Sequence, residues 1–538
     1  MGNRTRTAAP KRVSTEGILV LAWRTCNWNS EGSLLDCKRE SHPEVSMIVI
    51  PADRALRDLS SVVAAVGGSL AAYFALRLLW VRSDRTTVFG LPLLGCMLEL
   101  STTSIFDTLA KYTRLYGPAF DLFVMSQRIT VLSGYEDIKE TLLKRPKVFR
   151  RGGRLLVPFR KIGLAEGVLT REGADWSRQR RVVAPPFSKQ NVAKASEDLW
   201  LEASRFAEGL RAHAARGETV DFVYAATFFT LGVIGRVAFG FTDTNGGYFC
   251  SKHFLEDLKR MLKYCSQRTL FFFPEFLWRC SPKYRYELEA LEAARRVKEC
   301  GRSVIEHARS ETGGDSFIHH VLRASDESRF SDDEVIANIM TFFVAGSDTT
   351  SIGISWTLFF LSQNQAVLRD IRREVRSLDP STSSAEKFQL LRLTYAAVNE
   401  ALRIKGPVNI APLQLVENKP FILKSGITLY PNDLIWNNFE GLKTDPKIFE
   451  DPHTFNPYRW MTEDRDKLAH MSAVAQVTFG GGPRICPGMD LALMEATFCV
   501  ANIVDRFDFE LACSPSEISR FLAVSVQVNK MPLLFHIA

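Results

Sequence analysis

Apolar residues recur at helical spacing through most of the 538-residue chain. The pattern predicts helices over residues 190–213, 221–239, 283–310, 331–362, 395–404 and 489–507. Ser331 is followed three residues later by Glu334, the spacing of a capping box, which fixes where the fourth of these begins. Short β-branched runs at 129–132, 422–430 and 522–528 read as strands. The expected fold class is mainly α with small β-sheets.

One apolar stretch has a different character. Residues 59–76 contain no charge, and as a helix at about 1.5 Å per residue they reach roughly 27 Å, near one hydrocarbon thickness. Residues 78–81 extend the run, so 59–81 is expected to be a transmembrane signal-anchor; a buried core helix is the competing reading. Residues 1–58 have no clear periodicity and read as a poorly ordered tail. Met47 lies just ahead of the anchor and leaves two readings of residues 1–46 open, a native tail or the product of an upstream start codon. Gly and Pro at 89–95 punctuate the chain, so 82–95 is expected to be a linker and 96–538 one catalytic domain.

Composition narrows the class. Lys and Arg total 68 against 60 Asp and Glu, a net charge of +8 too mild over this length to call for nucleic acid. Phe is abundant at 37, which suits an apolar cavity as well as a core. The ten cysteines form no CxxC pair and no disulfide framework, as expected of reduced thiols facing a cytosol. The nine histidines show no zinc spacing.

The densest chemistry lies in Phe479-Gly-Gly-Gly482-Pro-Arg484-Ile-Cys486-Pro-Gly488. Four glycines, two prolines and a cysteine in ten residues exclude a helix interior and a regular strand. The long apolar segment that follows places Cys486 just before a helix N-terminus, where dipole and N–H groups favour a thiolate. Such a sulfur is either a soft-metal ligand or a nucleophile.

Phe479, Gly482, Arg484, Cys486 and Gly488 match F-x-x-G-x-R-x-C-x-G in full, and the segment resembles the haem-binding signature of the cytochrome P450 family. The resemblance, which covers roughly residues 85–538, implies haem b with Cys486 as its axial thiolate. It implies that Arg484 pairs with a propionate, that Phe479 packs beside the sulfur, and that Gly482 and Gly488 let backbone N–H groups approach it.

Three more motifs arrive in the family's order. Ala345-Gly346-Ser347-Asp348-Thr349-Thr350 puts a glycine, an acid and hydroxyls inside a helix, poor choices for stability alone. It is similar to the family's oxygen-activating motif, which implies that Gly346 opens room beside the iron, Thr349 holds dioxygen and water, and Asp348 relays protons. Glu400 and Arg403 share a helix face at i, i+3, and with Arg459 they resemble the family's structural E-x-x-R and P-x-R pairing. Trp176 and Arg180, at i, i+4, resemble a W-x-x-x-R pair that reaches a propionate; Arg178, Arg180 and Arg181 also read as a plain basic surface. One departure stands out. The family often carries Arg or His about ten residues past the E-x-x-R arginine, where this chain has Gln414.

The implied activity is insertion of one oxygen atom of O2 into a lipophilic small molecule, with electrons from an NADPH-cytochrome P450 reductase and cytochrome b5 as a further donor. The implied location is the endoplasmic reticulum membrane, with the catalytic domain facing the cytosol. By family position, Phe342, Phe343, Ala345, residues 408–413, 521–526 and part of 155–169 would line the pocket. The aromatic run 270–278 reads either as core or as a membrane-dipping lid. A haem-thiolate isomerase or dehydratase acting on peroxides without a reductase, and a non-enzymatic haem-binding membrane protein, are the competing functions.

Overall fold

The apolar segment that opens at Ser331 becomes the central helix of the catalytic unit. The Ser331 side chain accepts from the Glu334 N–H, and the Glu334 carboxylate accepts from the Ser331 N–H at 2.9 Å. Two N–H groups that a helix start would leave unpaired are thereby satisfied. The computed structural model describes residues 67–68 and 84–538, apart from 92–93, 103, 153–155, 242–250, 271–274, 312–315, 325–328, 432 and 523–524. The chain divides into two units, Met1–Val81 and Arg82–Ala538. In the first, only Gly67 and Gly68 are described, and both are helical. The expected tail and the rest of the expected anchor at 59–81 lie outside the described residues.

The helices that build the site are α1 (Gly173–Val183), α2 (Ser196–Arg216), α3 (Phe222–Phe239), α4 (Lys252–Leu270), α5 (Tyr284–Ser310), α6 (Asp332–Gln363), α7 (Gln365–Arg376), α8 (Arg392–Lys405) and α9 (Met489–Arg506). Helices α3, α5, α8 and α9 pack directly on α6, which runs through the largest hydrophobic cluster. Both α3 and α6 are long and apolar enough to cross a membrane, but 61% and 78% of their most apolar windows are buried in the protein, so here they serve as core.

One sheet has six strands in the spatial order β1 (Thr86–Val88), β2 (Ala119–Val124), β3 (Gln127–Leu132), β9 (Leu434–Asn438), β6 (Ile410–Leu415) and β4 (Phe149–Arg151). A second has β10 (Phe507–Leu511), β13 (Pro532–Ile537) and β5 (Thr219–Asp221). Two hairpins complete the strands, β7 (Phe421–Ile422) with β8 (Thr428–Leu429) and β11 (Arg520–Leu522) with β12 (Val526–Val528).

Three expectations need correction. The segment 82–95 is not a linker: β1 pairs in parallel with β2, and Arg85, 8% exposed, donates to Asp121 at 2.7 Å. That buried ion pair ties the segment into the domain. The runs at 422–430 and 522–528 are not single strands but fall in antiparallel hairpins, the first turning at Gly426, whose φ of +91° suits a residue without Cβ. The helix expected over 190–213 breaks at Ala195, giving Lys189–Lys194 and α2. In the aromatic run, Trp278 is fully buried and donates its indole N–H to Glu287 at 2.8 Å, while Phe276 and Leu277 are exposed; 271–274 lie outside the described residues.

Candidate active site

The cysteine loop is built by its glycines. Gly480 and Gly482 take φ of +81° and +60°, and a Cβ at 482 would stand 2.5 Å from the Leu142 carbonyl oxygen. Only glycine lets the chain turn left-handed against that backbone. The Cys486 N–H donates to the Phe479 carbonyl at 2.7 Å, and the Gly488 N–H donates to the Cys486 sulfur. Helix α9 starts at Met489, so Pro487 and Gly488 separate the cysteine from its first turn. Burial pushes the thiol up, against the smaller opposing pulls of the Gly488 N–H and Arg180. The environment alone therefore does not produce the thiolate expected from the helix N-terminus. Yet Cys486 has open space at its surface although protein surrounds it, so it faces an internal opening. A neutral thiol placed there becomes a thiolate when a metal cation displaces its proton.

Around this loop lies a cluster of arginines. Arg484 is gripped by the Glu172 carboxylate and the Arg171 carbonyl at 2.7 Å, and its guanidinium carbon lies 4.2 Å from the centre of the Trp176 ring. Arg145 and Arg151 press on it electrostatically, as does Arg180. Burial, aided by this like-charge crowding, lowers Arg145 to about 9 and Arg484 to about 10. Glu172 is the carboxylate that Arg145, Arg151 and Arg484 share, while Arg180 faces the Cys486 thiol, and among the described residues the Arg145 Nε and Nη2 and the Arg484 Nε have no hydrogen-bond partner. Trp176, Arg180, Arg181 and Pro483 line a cleft of about 620 Å³ beside them. Orphaned buried guanidinium donors and surplus positive charge call for an anionic ligand. Haem, with two carboxylates and a metal that takes thiolate, fits this donor set.

The sequence alone does not single out Arg145 and Arg151. Antiparallel pairing sets Arg151 opposite Leu413 and Arg150 opposite Gln414. The strand thus brings arginine to the place where the missing Arg or His was expected, and Gln414 donates to the Pro431 carbonyl at 3.4 Å.

In α6, Ala345 is exposed and Gly346, Asp348 and Thr349 are partly so, although residues 335–344 are buried. This is a gap in the packing of an otherwise enclosed helix. The Thr349 hydroxyl donates to the Ala345 carbonyl at 2.7 Å. Asp348 turns to the β11–β12 hairpin, where Ser525 and Gln527 donate to its Oδ2, the latter at 2.7 Å. Burial raises the Asp348 carboxyl, with Ser525, Gln527 and Lys259 pulling it back. A Cβ on Gly346 would lie 2.5 Å from Ile234 Cδ1, so the missing side chain serves the close approach of α3 to α6 instead of opening room for a ligand. Phe342 and Phe343 also turn into the core, against Phe187 and Phe317 and against Phe239 and Phe254.

Glu400, Arg403 and Arg459 come together as a buried unit. Glu400 and Arg403 are fully buried and form two bonds of 2.8 and 2.9 Å; Arg459 and the Trp460 indole each donate to the same carboxylate at 2.9 Å. Arg403 also reaches the Lys443 and Pro452 carbonyls. The Lys443 ammonium donates to Asn409 and to Thr478, next to Phe479, so the network ends at the cysteine loop.

A family model described as Cytochrome P450 matches residues 87–532. A cytokinin hydroxylase of Arabidopsis thaliana is 27% identical over 413 residues, 75% of this chain and 77% of that protein. The chloroplastic protein LUTEIN DEFICIENT 5 of the same plant is 24% identical over 457 residues, 80% of this chain and 74% of that one. A crystal structure of a cytochrome P450 (CYP102L1), at 20% identity, shares the fold with a TM-score of 0.72 over 84% of this chain and 99% of its own. The chain belongs to the cytochrome P450 family and is a haem-dependent monooxygenase whose iron takes a cysteine thiolate.

Proposed function

We propose that Cys486 is the axial ligand, and that the protein inserts one oxygen atom of O2 into a lipophilic small molecule with electrons from an NADPH-dependent reductase. The observation that carries this reading is the juxtaposition of an enclosed cysteine with arginine donors that lack partners among the described residues. Bound haem supplies the activation of dioxygen, and thiolate donation favours cleavage of the O–O bond. The protein's residues do the rest. Arg145, Arg151, Arg180 and Arg484 hold the carboxylates and keep the group oriented. Thr349 holds a proton at its hydroxyl, now lent to the Ala345 carbonyl, beside the gap in α6. Asp348 exchanges protons with water from the flank of the same turn. Glu400, Arg403 and Arg459 keep the loop scaffold in place without touching substrate.

The abundance of Phe, 37 in the chain, supports a lipophilic substrate. The apolar stretch 59–81, free of charge from 59 to 76, supports a single anchor in the endoplasmic reticulum membrane, with the domain on the cytosolic side, where the exposed Arg181 on α1 offers a basic docking face for the reductase. The test is reconstitution with a microsomal-type reductase and a panel of fatty acids, sterols and terpenes. NADPH use that rises with substrate, and 18O from O2 in the product, are the expected results. Turnover of a hydroperoxide without NADPH, with no 18O incorporation, would overturn it. For the anchor, deletion of 59–81 is expected to move the protein from the membrane fraction to the supernatant.

A further inference from the structure

The acid of α6 is not free to turn. Asp348 Oδ2 accepts from the Ser525 hydroxyl and from Gln527 Nε2 at 2.7 Å, and Gln527 Nε2 also donates to the Ser525 oxygen at 2.6 Å. Ser525 is 4% exposed, so water competes little for these bonds. The hairpin that carries both residues is fixed elsewhere. Ser266 on α4 donates to the Leu522 carbonyl at 2.8 Å, Arg520 donates twice to Glu440, and the Val526 N–H donates to the Pro407 carbonyl at 2.7 Å. The ionisable group facing Asp348 from α4 is Lys259, whose Nζ sits 4.5 Å from the centre of the Tyr224 ring and which answers in turn to Asp221 and Glu256.

We propose that Ser525 and Gln527 are positioning residues for Asp348, fixing which way its carboxylate points and which of its oxygens accepts. The proposal rests on the reading of Asp348 as the proton-exchanging acid. Held at Oδ2 by two donors, the group is kept as an acceptor and is turned toward the hairpin. Without both donors the carboxylate holds its proton more readily; it takes up a proton from water at one oxygen and returns one to water on the other side, ending as it began.

The experiment uses the full, haem-loaded chain in two readouts. The first is infrared difference spectroscopy of the resting protein, parent minus Asp348→Asn, which follows this carboxyl through a pH titration without turnover. The second is NADPH-driven oxygen reduction with a microsomal-type reductase and no added substrate, measured against pH and in H2O and D2O. The Ser525→Ala/Gln527→Ala protein is expected to titrate Asp348 at higher pH and to move the pH profile of oxygen reduction in the same direction. Ser525→Thr, which keeps the hydroxyl, is expected to retain the parent behaviour. An unmoved carboxyl titration, or one that moves while the pH profile stays, overturns the proposal. If Asp348→Asn itself leaves the rate and the solvent isotope effect at the parent values, the relay reading fails and the proposal fails with it. If Asp348→Asn abolishes them while the double variant titrates like the parent, the proposal alone fails.

Discussion

Arg484 lies over the Trp176 ring with 4.2 Å between guanidinium carbon and ring centre, and that contact joins the cysteine loop to α1 across more than 300 residues of chain. One face of the guanidinium is spent on the ring and one edge on Glu172, while its Nε has no partner among the described residues. Together with Arg145, Arg151 and Arg180 it forms a cradle in which positive charge outweighs the one Glu172 carboxylate, a like-charge strain that a dianion would relieve.

That strain predicts opposite effects on the empty and loaded protein. Arg145→Met, which removes a buried cation at 6% exposure, is expected to raise the melting temperature of the haem-free chain. The same change is expected to speed haem loss to an apomyoglobin acceptor by about tenfold, near 1.4 kcal/mol. Equal haem retention by parent and variant would remove Arg145 from the cradle.

Glu400→Ala leaves Arg403 fully buried with its main partner gone. Breaking one side of such a pair costs about 3–5 kcal/mol. Urea unfolding of the variant is expected to show that loss, with little haem retained on purification. A loss below about 1 kcal/mol would contradict the central place given to this carboxylate.

Gly346→Ala is expected to destabilise the protein by about 1–3 kcal/mol through overpacking against Ile234. In an Ile234→Ala background the same substitution should cost much less. A double-mutant cycle with no coupling would return Gly346 to a role toward the ligand.

Lys443 supplies a pH dependence. Burial pushes its ammonium down to about 7 from the ordinary 10.5. Between those values the unfolded lysine holds a proton that the folded one lacks, so stability rises with pH across the window, by at most about 1.4 kcal/mol per pH unit. Below the window both states are protonated and this contribution is flat. Lys443→Met is expected to remove the slope between pH 7 and 9 in chemical unfolding series. Identical slopes in parent and variant would contradict it.

Much of this site is legible in the sequence because its parts are local. The glycine and proline density around Cys486, the i, i+3 spacing of Glu400 and Arg403, and the Ser331–Glu334 cap each sit within ten residues and carry their own physical reason. What was not legible depends on pairing between distant segments. Arg151 reaches the cradle through the register of β4 against β6, which no local pattern reveals. Asp348 meets Ser525 and Gln527 across 177 and 179 positions, and Gly346 meets Ile234 on another helix. The segment 82–95 read as a linker from its Gly and Pro, because the ion pair of Arg85 with Asp121 is invisible until β1 and β2 align.

The sulfur–iron bond at Cys486 is tested most directly by the absorption spectrum of the reduced protein under carbon monoxide. The parent chain is expected to show the strongly red-shifted Soret band of thiolate-ligated haem, and Cys486→His, loaded with haem, is expected to lose it. A Cys486→His protein that keeps the shifted band would contradict the assignment.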